Sequence, residues 1–250
     1  MSQKINGLCL YRGPSMLDGA PIIVIATGFE KASTNGKTGA LVQTWILRDD
    51  VNPIAAVNSG ADASICGDCP HRGIVVDGKN VGRSCYVTLF QAPRNIWATF
   101  HRGRYPMVAP ADLAKTFEGL PVRLGAYGDP AAVPFWIWDS VMSRASFGTG
   151  YTHSWRRFPE LAAYCMASCD SLADRLAAKI LGFRTFRVRA NSEPRLPEEA
   201  PCPASAEMGK RTDCANCKLC GGTKVRAKDI VINAHGSADK VNNFKRLIAA

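Results

Sequence analysis

PVRLGAYGDPAAVPFWIWDSVMSRASFGTGYTHSW, residues 121–155, decides the fold. PVRLGAY (121–127) is an apolar run of strand length, closed by a glycine–aspartate–proline turn at 128–130. AAVPFWIWDSVMSRA (131–145) then spaces its apolar residues as a helix does. FGTGYTHSW (147–155) returns to a strand with a polar end. Strand, helix and strand in direct succession make a crossover unit, and such units build parallel sheets.

The same alternation extends in both directions. Upstream, PIIVIATGF (21–29) and ALVQTWILR (40–48) read as strands. NPIAAVNSG (52–60) reads as a helix with Pro53 at its start and Gly60 as its stop. SCYVTLF (84–90) is expected as a strand, and PRNIWATFHRGRY (93–105) and PADLAKTFEG (110–119) as helices. Downstream come a strand at YCMAS (164–168), an amphipathic helix at SLADRLAAKILG (171–182) and an alternating strand at FRTFRVRA (183–190). KDIVINAH (228–235) is a last strand, and the polar tail is a short helix. The expected fold is α/β: a mostly parallel sheet forming a partial or complete βα barrel. Residues 1–195 form the barrel-like part, with an early cysteine loop at 66–85. Residues 196–250 form a cysteine-rich metal-binding segment with a final strand.

The chain has 250 residues and ten cysteines. Its N-terminus, MSQKINGLCLYRG, lacks the apolar core of a signal peptide. Without one, a disulfide framework is disfavoured and a cytoplasmic location is expected. No apolar run reaches the ~20 residues a membrane helix needs. The formal net charge of +10 favours phosphate-bearing partners, either nucleotides or nucleic acid.

Cys202, Cys214, Cys217 and Cys220 stand at C-x11-C-x2-C-x2-C spacing. Four thiolates so placed can complete the shell of a zinc ion or of a [4Fe–4S] cluster. Cys66, Cys69 and Cys85 form a second group, with His71 beside them as a possible fourth ligand. Polar residues gather where strands end, which is where parallel sheets place active sites. Asp129, His153 and Cys169 are the candidate catalytic residues on this ground. Arg123 and Arg187 sit on expected strands, where a buried guanidinium requires either a carboxylate partner or an anionic ligand. STNGKTG (33–39) has the composition of a phosphate loop without its pattern and reads as a hairpin turn, with Lys37 free to meet phosphate.

Three features together resemble a group of cysteine-rich phage and prophage proteins of unassigned function. They are Cys85-Tyr86 closing the early cluster, Gly128-Asp129 closing a middle strand, and Cys202-Pro203 leading to Cys214, Cys217 and Cys220. The likeness runs from about Lys37 onward. The order of early cysteines, βα units and late quartet is also similar to radical S-adenosylmethionine enzymes with an auxiliary cluster. Those enzymes space their early cysteines C-x3-C-x2-C, against C-x2-C-x15-C in this chain. That resemblance implies an iron–sulfur cluster on Cys66, Cys69 and Cys85, S-adenosylmethionine as cofactor, and modification of a nucleotide or nucleic acid. A zinc-stabilised nucleic-acid-binding protein of a mobile element is the alternative expectation. A zinc hydrolase is weaker, because the chain has four histidines and hydrolytic zinc favours imidazole.

Overall fold

A computed structural model describes residues 5–249. In chain order, the strands are β1 Gly7–Pro14, β2 Pro21–Thr27, β3 Val42–Arg48, β4 Ile74–Val76, β5 Lys79–Val81 and β6 Pro121–Tyr127. They continue as β7 Phe147–Thr149, β8 Tyr151–Thr152, β9 Met166–Cys169, β10 Thr185–Arg189, β11 Glu199–Pro201 and β12 Asp229–Asn233. The α-helices are α1 Pro53–Ser59, α2 Ala63–Cys66, α3 Ala92–His101, α4 Leu113–Thr116, α5 Phe135–Arg144, α6 Leu172–Ile180, α7 Cys214–Cys217 and α8 Ala238–Ala249.

Two five-stranded sheets carry the fold, in the orders β1-β2-β3-β6-β7 and β11-β12-β10-β9-β8. β3, β6 and β7 run parallel, and the second sheet is parallel throughout. The expected single strand at 147–155 is divided between the two sheets. Phe147–Thr149 pairs with β6, and Tyr151–Thr152 pairs with β9. Gly150 is the joint, and a Cβ there would stand 2.7 Å from the Cys165 sulfur. The two sheets are therefore consecutive along one stretch of chain. The array ends at β1 on one side and β11 on the other, so the closed form of the expected barrel is not observed among the described residues. The N-terminal part is also antiparallel, because β1, β2 and β3 succeed one another as hairpins.

Local chemistry explains where the elements start and stop. In α1, Asn52 accepts hydrogen bonds from the amides of Ile54 and Ala55, and Gly60 closes the helix in the left-handed region. In α6, Ser171 accepts from the Asp174 amide. The helix expected over 131–145 begins at Phe135, because Asp129 and Pro130 first set a 3-10 turn at 130–132. The 110–119 segment is a 3-10 turn followed by the single α-turn of α4.

SCYVTLF at 84–90 is not a strand. The amides of Ser84 and Cys85 both donate to the His71 carbonyl, at 3.2 and 3.0 Å. The Arg83 guanidinium takes the carbonyls of Cys85 and Val87, at 3.0 and 3.2 Å. With these groups engaged, little of the segment is left to pair with a sheet.

The main core lies between the sheets and their helices and contains Ile22, Ile25, Ile46, Leu47, Phe117, Leu124, Trp138 and Trp155. Cys9 and Cys165 are fully buried within it. A smaller cluster, with Met166, Cys202, Ile230 and Ile232, backs the second sheet. The segment from 196 to 250 contributes β11 and β12 to the parallel sheet, and the late cysteines occupy the connection between those two strands.

Candidate metal centre

Both cysteine groups line one cavity of about 270 Å³. Cys66 and Cys69 come from α2 and the turn after it, and Cys85 from the extended segment beyond the β4–β5 hairpin. Arg72 fastens this loop. It pairs with Asp62 at 2.7 Å and donates to the carbonyls of Gly60 and Gly67 at 2.9 and 3.0 Å. Burial pushes the Cys66 thiol well up, and the neighbouring Cys69, Asp62 and Cys85 add to the rise.

The four late cysteines also converge. Cys220 is pushed up to about 12 by burial; the Tyr151 hydroxyl opposes this, and Cys202, Cys214 and Cys217 reinforce it. Arg184 organises this loop from within the fold. Its guanidinium donates to the carbonyls of Leu219 (2.8 Å), Gly222 (3.2 Å), Ala227 (3.1 Å) and Lys228. Gly222 has φ 60° and its Cβ position lies 2.6 Å from the Ala162 carbonyl, so the loop docks there only with glycine. The STNGKTG turn docks on the other side, where the Lys37 and Thr38 carbonyls accept from the amides of Cys214 and Ala215 at 2.9 and 3.2 Å. Lys37 Nζ stands 3.3 Å from His235 Nε2.

Among the described residues, no three cysteine sulfurs lie within 4.8 Å of one another. The set of ligand atoms that does so is His71, His153 and Asp170. In the cavity wall, Arg123 donates to the Tyr86 hydroxyl at 3.0 Å and faces Cys214 and Tyr151. Tyr86 stacks on His235 with ring centres 5.3 Å apart, and Tyr151 meets Phe186 at 4.6 Å.

The strand-end residues are brought to this cavity as the parallel arrangement requires: Asp129 after β6, His153 after β8, and Cys169 and Asp170 at the end of β9. Their local roles differ. Asp129 is buried, and its carboxylate accepts from the amides of Ala131 (2.9 Å) and His153 (2.8 Å). It therefore fixes the backbone that presents His153. Cys169 is fully buried, its thiol is raised by that burial, and it leans on the Ala167 carbonyl at 3.5 Å.

Arg187 does not line the cavity. Its guanidinium makes two 2.7 Å bonds to the Glu199 carboxylate, so of the two partners its position allowed, it takes the internal one. Arg189 likewise pairs with Glu207 at 2.6 Å. Asp170 completes the site without a motif of its own, whereas Tyr86 belongs to the Cys85-Tyr86 feature and Tyr151 stands two residues before His153 in GYTHSW. Asp170 was legible only as a polar residue at a strand end.

Comparison with protein-family models, with curated proteins and with solved structures gives no match for this chain. No helix of the described residues is long and apolar enough to cross a membrane.

Proposed function

We propose that the protein is an iron–sulfur enzyme whose two thiolate centres flank a chamber for a nucleoside-bearing anion. One observation carries the reading: two cysteine groups more than a hundred residues apart in sequence open onto the same cavity, with Arg123 in its wall. Cys66, Cys69 and Cys85 would hold one centre, and Cys202, Cys214, Cys217 and Cys220 the other. The donor set fits. Four thiolates of the late group can complete the shell of a cluster, and three of the early group would leave one iron position open. When bound, such clusters supply one-electron transfer and a Lewis-acidic iron.

The chain's own residues address the ligand. Arg123 offers a cation for a carboxylate or phosphate, and the Tyr86–His235 and Tyr151–Phe186 pairs offer aromatic faces for a base. Nucleotides belong to this chemical class, and S-adenosylmethionine, a net cation, would meet Arg123 only through its carboxylate.

Anaerobic purification followed by iron, acid-labile sulfide and zinc analysis tests the centres. Iron and sulfide lost group by group in Cys69→Ser and Cys217→Ser support the reading. Stoichiometric zinc without iron overturns it. Titration with S-adenosylmethionine and with nucleoside triphosphates, against Arg123→Met, tests the ligand class. The net charge of +10 supports a second reading, a zinc-braced nucleic-acid-binding protein. It requires salt-dependent retention on DNA or RNA by the zinc form. Arg184, Arg187 and Arg189 are engaged within the fold, so that retention would rest on other residues.

A further inference from the structure

His71, His153 and Asp170 lie apart from the thiol groups in chemistry, though they share the cavity. Asp170 Oδ1 is 2.9 Å from His71 Nε2, and Asp170 Oδ2 is 3.3 Å from His153 Nε2. The side chains are 13%, 22% and 16% exposed for His71, His153 and Asp170, so they are shielded from bulk water yet reachable from the chamber. His71 Nδ1 is held by the Ser84 hydroxyl at 2.7 Å, which fixes the ring. His153 is fixed through its backbone, whose amide is bound by Asp129 at 2.8 Å.

An internal hydrogen-bond chain without an ion would account for His71, whose contacts to Ser84 and Asp170 both have hydrogen-bond geometry. It does not account for His153. Its Nε2 is buried and meets no partner in good hydrogen-bond geometry, although the Cys69 thiol lies beside it and a carboxylate oxygen stands 3.3 Å away. A ring nitrogen that close to an acceptor but out of line with it directs its donor axis elsewhere. Two donors on one metal ion have this relation, because each points at the ion and not at the other. Nitrogen and oxygen donors about 2.0–2.2 Å from a first-row ion stand about 2.8–3.5 Å apart across its shell. The observed 2.9 and 3.3 Å separations fall in that range. The Ser84 contact to the distal nitrogen of His71 is the usual outer support of a ligating imidazole.

We propose that His71, His153 and Asp170 form a separate site for one divalent first-row cation, with its open positions facing the chamber. Two imidazoles and a carboxylate suit manganese, ferrous iron, cobalt or zinc. The proposed ligands include no cysteine, although Cys69 of the early group lies beside the His153 ring.

Mn²⁺ is the probe, because it prefers nitrogen and oxygen donors to thiolates. Anaerobically purified full-length protein is titrated with Mn²⁺ while the free-ion paramagnetic resonance signal is followed. The site should take up about one Mn²⁺ per chain. Asp170→Asn keeps the shape and hydrogen-bonding capacity of the side chain, and His153→Gln keeps a polar amide at the cavity wall. Each should weaken Mn²⁺ binding by roughly tenfold or more, with iron and sulfide content and circular dichroism unchanged. A wild-type protein that leaves the Mn²⁺ signal untouched overturns the proposal. So do variants that bind as the wild type does. Mn²⁺ uptake lost in Asp170→Asn, in a protein devoid of iron and sulfide, would uphold this site while sinking the iron–sulfur reading.

Discussion

Arg184 is the residue on which the late cysteine loop hangs, and replacing it by methionine should release that loop while sparing the rest of the fold. The guanidinium satisfies four carbonyls, those of Leu219, Gly222, Ala227 and Lys228. Methionine fills much of the volume and satisfies none of them. At roughly 1 kcal/mol net for each bond, and with the partly exposed carbonyls recovering some of it from water, the loss is about 3 kcal/mol. That is about a hundredfold shift toward the undocked loop. Limited trypsin digestion reads it directly, since Lys218, Lys224 and Arg226 lie within or next to the loop. Cleavage there should accelerate by about two orders of magnitude, and metal bound by the late quartet should become correspondingly easier to remove with a chelator. Arg184→Lys keeps the charge but not the fork and should fall between the two. Wild-type rates of both cleavage and metal loss in Arg184→Met would refute the reasoning, because they would mean the four bonds do not hold the loop.

The buried Arg187–Glu199 pair should behave as a structural ion pair: Glu199→Gln leaves the guanidinium with only the more exposed Glu193 carboxylate, 3.8 Å away, and should cost about 3 kcal/mol in urea unfolding. Burial would raise the Glu199 carboxyl, but Arg187 and the Leu196 amide outweigh it, so its folded pKa lies below the ordinary 4.5. Its stabilising contribution is therefore complete above that value and is lost as pH falls through the folded pKa. The urea midpoint of the wild type should drop more steeply below about pH 4.5 than that of Glu199→Gln, as measured by fluorescence-detected unfolding. Gly222→Ala should destabilise the docked late loop by about 1–3 kcal/mol through its left-handed backbone and the Ala162 carbonyl, seen as faster amide exchange at 219–225. Cys69→Ser and Cys217→Ser should each remove the metal of one group only, and loss of both together on metal analysis would show a single shared centre.

Much of the fold was legible because its signals are local. Asn52, Pro53 and Gly60 mark α1 by capping chemistry alone, and the apolar runs at 21–27, 42–48 and 121–127 form strands where their composition placed them. What escaped depends on distant partners. β1 contains Gly7, Gly13 and Pro14, residues that carry no strand signal of their own, and it is a strand because β2 pairs along it. β11 is three residues in a proline-rich stretch, extended because β12 lies beside it. The reverse error occurred at 84–90, where β-branched and aromatic residues promised a strand and Arg83 and the His71 carbonyl claimed the backbone instead. At the site, the cysteines announced themselves by spacing. Asp170 did not, because only the fold brings His71 and His153 to it from 99 and 17 residues upstream.

The docking of the late loop on the Lys37–Thr38 turn has a consequence for biosynthesis. Cys214 and Ala215 take their backbone partners from a turn made some 175 residues earlier, and β12, which follows the loop, anchors it to the sheet. A nascent chain halted before β12 would present its cysteines on an unsupported tether. The late pocket thus comes into being only once β12 has been made and has joined the sheet, so any cargo delivered to it must arrive after that point in synthesis.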